Sequence, residues 1–145
     1  MKKLLLLLLF IPVVSFGQVS YEAIMKLNSK DAFVKYMFDA GFSFDTANSS
    51  GDDLTYVLNP IISDDEYEPK GTHIACWYED FFWLYIRLEG FDENDYSTIL
   101  KKVKTKCKYI KMEKGYAVYE CPDAKFEGKR LWFAINDGMG EIIGM

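Results

Sequence analysis

The sequence predicts an α+β domain: two helix-plus-antiparallel-meander repeats, with the helices packed on one face of the sheet. Three observations carry this. Two stretches with apolar residues at helical spacing, 29–41 and 92–106, are each followed by several strand-like runs. The run 72–89 is rich in β-branched and aromatic residues and is broken only by Glu79-Asp80, a hairpin signal. The order helix, short strand, turn, strand ending in Pro, loop and hairpin occurs twice, with Pro60 and Pro122 in equivalent places, so 18–90 and 91–145 read as repeats.

The elements follow in order. Met1-Lys2-Lys3, an apolar run from Leu4 through Ile11, and the close Ser15-Phe16-Gly17 form the three parts of a secretory signal peptide at 1–17. Pro12 interrupts the run, which is far shorter than the ~20 residues of a membrane span. Cleavage after Gly17 would leave Gln18 first. No cysteine lies near that point, which argues against a lipid anchor. The mature chain, 18–145, is expected to be one domain. Ser20 opens a short helical pattern. Ser29 caps the next helix, with Asp31 in its first turn, Ala32, Phe33, Tyr36, Met37 and Ala40 at helical spacing, and Gly41 as its stop. Short strands are expected at 42–44 and 54–59, and an exposed acidic loop at 61–71. The hairpin 72–78 with 81–88 follows. Asp92 to Asp95 begins a helix whose lysines gather at its C-terminal end, as the helix dipole favours. Strands at 107–112, 116–121, 130–136 and 141–145 complete the chain.

Charge narrows the partners. Taking Lys2 and Lys3 from the 17 basic residues leaves 15 against 22 acidic ones, a mature net charge of −7. Such a chain has no electrostatic reason to bind nucleic acid or an anionic lipid surface. With half its residues hydrophobic and 17% aromatic, it is a folded domain and not a disordered segment. No cofactor-binding fingerprint, phosphate loop, nucleophile elbow or His-Glu-x-x-His is present. Asp92-Glu93-Asn94-Asp95 starts like a calcium loop, but Ser97 stands where the loop needs glycine. His73 and Cys76 are three apart on a strand and so point to opposite faces, which argues against a thiol–imidazole dyad. Asp64, Asp65, Glu66 and Glu68 read as a solvated run. No catalytic residue or metal ligand is selected.

What remains is the composition of the strand faces. Pairing Cys76 with Trp83 puts Ala75, Trp77, Phe82, Leu84, Ile86 and Leu88 on one side, and Ile74, Cys76, Tyr78, Phe81, Trp83, Tyr85 and Arg87 on the other. In the second half, Ile110, Met112, Val118, Leu131, Phe133, Ile135 and Ile143 are expected on an aliphatic face for the helices, with Tyr109, Tyr119 and Trp132 on its reverse. Tyr and Trp favour binding hot spots. The expected contact residues are therefore Tyr78, Phe81, Trp83, Tyr85, Tyr109, Tyr119 and Trp132, in an exported binding module whose partner is an envelope or exported protein, a peptide or a glycan. A small periplasmic hydrolase using carboxylates, and an envelope-assembly protein, are the alternative readings.

Among Cys76, Cys107 and Cys121, a disulfide between Cys107 and Cys121 is expected, leaving Cys76 a buried thiol. A three-residue loop, Glu113-Lys114-Gly115, would close at Met112 opposite Tyr116 and bring Cys107 opposite Cys121. A two-residue Lys114-Gly115 turn would shift the register by one and separate them.

The Ser-Phe-Gly-Gln ending of the leader resembles export signals of Bacteroidota. The stretches Lys106-Cys107-Lys108-Tyr109 and Tyr119-Glu120-Cys121 resemble small exported Bacteroidota proteins, a likeness that implies no activity. At fold level the tandem arrangement resembles the β-lactamase-inhibitor-protein group, and a fold likeness carries no function with it.

Overall fold

The computed structural model describes residues 19–59, 71–88 and 94–145. The expected leader, all of the acidic loop except Gly71, and Asp92-Glu93 lie outside the described residues.

Local signals set the helices. Ser20 caps α1 (Tyr21–Ile24) through Oγ, which accepts from the Ala23 N–H at 3.2 Å. Ser29 caps α2 (Lys30–Asp39) in the same way through the Ala32 N–H. That helix ends in a Schellman turn: Gly41 has φ +82°, its N–H donates to Phe38 O, and the Phe42 N–H donates to Met37 O. Asn94 caps α3 (Asp95–Lys106) in a reciprocal box with Ser97, and Lys104 and Lys106 sit in its last turn.

The strands are β1 (Ser43–Phe44), β2 (Leu54–Leu58), β3 (His73–Tyr78), β4 (Phe81–Arg87), β5 (Lys108–Glu113), β6 (Tyr116–Glu120), β7 (Arg130–Asn136) and β8 (Met139–Gly144). They form one eight-stranded antiparallel sheet in the order β1-β2-β3-β4-β8-β7-β6-β5. Each half is a meander running outward from the central β4–β8 pair. The β3–β4 hairpin has the expected register, with Tyr78 opposite Phe81 and Cys76 opposite Trp83. Strand β8 starts earlier than the expected 141 because Asp137 and Gly138, at φ 49° and 74°, make a two-residue turn that pairs Asn136 with Met139.

Tyr56, Trp77 and Phe133, the sheet residues met by the Phe33 and Tyr96 rings, share one side of the sheet. The Phe33 ring from α2 meets Tyr56 and Trp77, and Tyr96 from α3 meets Phe133. Phe82, Leu84, Ile86, Leu131 and Ile142 complete this core, all essentially without exposure. Two glycines of β8 create the room: a Cβ on Gly140 would strike the Tyr96 ring, and one on Gly144 the Phe82 ring.

The second half corrects the expected faces. Tyr119 pairs with Leu131 and belongs to the helix-side core, 7% exposed, with Tyr109 beside it. Val118 pairs with Trp132, and Trp132 with Ile143, so these three share the reverse side. Both sides of β6 and β8 are apolar, so hydrophobicity did not decide the parity. The 121–129 connection, which turns at Cys121–Ala124 and again at Phe126–Lys129 instead of closing as one short hairpin loop, left it open.

The β5–β6 hairpin is also corrected, and instructively. Its loop has two residues, Lys114 and Gly115, at φ 49° and 87°, and closes at Glu113 opposite Tyr116. Met112 and Lys111 pair with Ala117 and Val118. A bulge at Ile110 then absorbs one residue and restores Tyr109 opposite Tyr119. The disulfide Cys107–Cys121 forms where expected, with Cα atoms 4.4 Å apart, by a different route. Cys76 is the buried free thiol.

Candidate binding face

The reverse side of the sheet carries the aromatic surface. Residues 83 and 85 project from β4 to the same side, and the Trp83 and Tyr85 rings stack at 5.1 Å with 16° between their planes. At the hairpin end, Tyr78 and Phe81 pack at 5.5 Å. All four are partly exposed. Trp132 sits two strands away, across Ile143 from Trp83, and is also partly exposed. Five of the seven expected contact residues are therefore brought to one side. Tyr109 and Tyr119 are on the other, where Tyr119 packs edge-on against Phe133 and Tyr109 is half exposed at the β5 edge.

Between the aromatic residues of this side stand smaller, buried ones in the same cross-strand rows. Thr55, Val57, Cys76, Val118 and Ile143 are buried, yet none belongs to the core cluster that includes the helices. The Cys76 thiol contacts Thr55 Oγ1 at 3.7 Å, and burial raises its pKa, so it is a poor nucleophile. The indole nitrogens of Trp83 and Trp132 are buried without a hydrogen-bond partner. Each therefore offers ring carbon, and not its N–H, to anything docking on the face.

Residues outside the expected set define the polar centre. Glu141 is 6% exposed on β8, beside Tyr85 in the register. Its carboxylate accepts from Tyr116 Oη at 2.5 Å and from Asn136 Nδ2 at 2.7 Å. Burial, and then this bond to Glu141, push the Tyr116 pKa up to about 12. Burial likewise raises Tyr85, with Cys76 and Glu141 adding to it. The sequence signal for this centre was a lone Glu inside the run Met139 to Ile143, which pattern reading takes as a strand-edge charge.

The geometry also brings His73 to a carboxylate. His73 Nε2 lies 2.8 Å from Asp95 Oδ2, and Nδ1 lies 3.1 Å from Thr72 Oγ1. The same Asp95 oxygen accepts the Val19 N–H at 2.8 Å. Thr72 Oγ1 is itself bonded to Leu58 O. Both side chains of the pair are about 15% exposed, and the Phe42 ring stands edge-on to the imidazole. The arrangement ties the start of the described chain to β3 and α3, and the concavities described below are lined by neither residue.

Three depressions are shallow. One of about 340 Å³ on the reverse face is lined by Glu113, Lys114, Tyr116, Trp132 and Ile143. A second, about 600 Å³, lies between α2 and β1, where Phe38 is 79% and Phe44 48% exposed. A third, about 420 Å³, borders Ser20, Glu22 and Tyr36 between α1 and α2. Among the described residues there is no cluster of three or more metal-ligating side chains, and no helix long and apolar enough to cross a membrane. No protein-family model, curated protein or solved structure matches this chain.

Proposed function

We propose that this chain is an exported, non-catalytic binding module that holds its partner on the reverse face of the sheet, with Trp83, Tyr85 and Trp132 as the contact centre. The observation that carries this reading is the stacked, partly exposed Trp83–Tyr85 pair on the side opposite the residues that the Phe33 and Tyr96 rings meet. Large rigid rings held in place before binding cost little entropy when a partner arrives. Export is supported by the leader pattern at 1–17 and by the Cys107–Cys121 disulfide, a bond that persists in oxidising compartments. In this reading the two halves are helix-plus-meander repeats that share the central β4–β8 pairing. The partner is an exported or envelope protein, a peptide or a glycan.

The test is a binding screen of residues 18–145 against envelope-derived peptides, exported proteins and oligosaccharides, repeated with Trp83→Ala. We expect a folded variant whose affinity for the hit falls about tenfold or more, as for a central aromatic anchor. Hits that bind Trp83→Ala and Trp132→Ala as tightly as the native protein would overturn the assignment of the face.

A further inference from the structure

We propose that the depression at the β5–β6 end of the reverse face binds one ring of a neutral saccharide stacked on Trp132. This rests on the binding-module reading above and names the ligand class for one part of that face.

The site exists because of the hairpin's register. The two-residue Lys114-Gly115 turn puts Glu113 opposite Tyr116 in the ladder, where the expected three-residue loop would have left Glu113 in the turn itself. The bulge at Ile110 confines that shift to the tip, and the disulfide closes the other end of the same hairpin. Glu113 and Tyr116 thus stand on the reverse side as fixed parts of a strand pair, next to Trp132 and Ile143.

The chemistry of the lining selects the ligand. Trp132 lines the depression while its indole nitrogen is buried, so what it presents is ring carbon. An aromatic ring face is electron-rich and draws polarised C–H groups such as those on one side of a pyranose. The Tyr116 proton is committed to Glu141, which leaves the phenol oxygen as an acceptor. Glu113 is a second acceptor and Lys114 a donor. Hydroxyl groups, which both donate and accept, match that mixture. Charge narrows the choice further. Lys111 Nζ lies 3.1 Å from Glu113 Oε1, so Lys111 and Lys114 are offset by Glu113 and the buried Glu141. Neither a strong anion nor a strong cation gains from this balance. At about 340 Å³, the depression has room for a sugar ring.

Calorimetric titration of residues 18–145 with cellohexaose, maltohexaose and fully N-acetylated chitohexaose, and with a charged uronic-acid oligosaccharide, tests this. We expect at least one neutral oligosaccharide to bind more tightly than the charged one. Trp132→Ala should weaken that binding about tenfold or more, and Trp132→Phe much less. Glu113→Gln, at an exposed position that leaves the core intact, keeps the test open should Trp132→Ala fail to fold, and it too should weaken binding. Absence of saccharide binding at millimolar concentration overturns the inference, and peptide or protein binding that still depends on Trp83 would then leave the broader reading standing. Saccharide binding unchanged by a folded Trp132→Ala, or, should that variant not fold, by Glu113→Gln, also overturns it, because the sugar would sit elsewhere.

Discussion

Phe82 and Trp83 are neighbours on β4 and lie on opposite sides of one sheet. Phe82 has no exposure, fits over the missing side chain of Gly144 and meets Phe126 edge-on at 5.5 Å. Trp83 keeps part of its ring in solvent, stacks on Tyr85 and leaves its indole nitrogen unbonded. The helix side is thus a closed packing problem. The reverse side sets buried small and branched residues beside large rings that stay partly exposed. A structural core has no use for that second arrangement, because a buried donor without a partner costs stability.

The contrast can be broken most directly at Phe82. Phe82→Ala should cost about 3–5 kcal/mol in denaturant unfolding, since it empties a site that the glycine below cannot fill. A cost near 1 kcal/mol would mean that the helix side is no more tightly packed than the reverse.

Next in size is the covalent tie at the end of the β5–β6 hairpin. The replacement Cys107→Ser with Cys121→Ser should destabilise by up to ~3 kcal/mol, less to the extent that the hairpin is already local in the unfolded chain. Cys121 has no exposure, so non-reducing peptide mapping should find the native bond complete and Cys76 as the thiol that reacts only after unfolding.

Trp83→Ala sharpens the comparison from the other side. It should cost about 1–2 kcal/mol, well below Phe82→Ala, because part of the ring never leaves water. Chemical denaturation of the two variants side by side gives the ratio, and equal costs would make the reverse face a second core.

The smallest effect concerns the phenol at the polar centre. Tyr116 has its folded pKa raised to about 12 from the ordinary value near 10. A raised folded pKa contributes stability that is complete below the unfolded value and is lost as pH climbs from about 10 through about 12. Tyr21, Tyr36 and Tyr96 are raised similarly, chiefly by burial, so the native protein should lose thermal stability across that window. Tyr116→Phe should remove one share of that loss and cost about 1 kcal/mol at neutral pH, where Glu141 gives up a donor. A thermal midpoint independent of pH over that window would show that these phenols ionise alike in the folded and unfolded chain, and so are not raised by burial.

The legibility of the chain follows the range of the interactions. Ser29 and Gly41 bound their helix in sequence because a cap and a left-handed stop act within a few residues. The β3–β4 hairpin was readable because Glu79-Asp80 is short and the runs beside it alternate. The aromatic side of that hairpin was readable for the same reason. Tyr109 and Tyr119 were assigned to the wrong side because the 121–129 connection sets no parity. Glu141, Tyr116 and Asn136 were missed because they lie on three different strands, β8, β6 and β7, and only the assembled sheet makes them one group.

By itself the sequence determined the α+β class, the helix boundaries and the β3–β4 hairpin, all products of local geometry or of periodicity along one element. Tertiary structure alone decided which side each strand of the second half presents, how a two-residue turn and a bulge together align Cys107 with Cys121, and where the buried carboxylate sits. Those outcomes depend on cross-strand register over long separations. A one-residue slip there exchanges the two sides of a strand without changing its composition, so composition cannot record it.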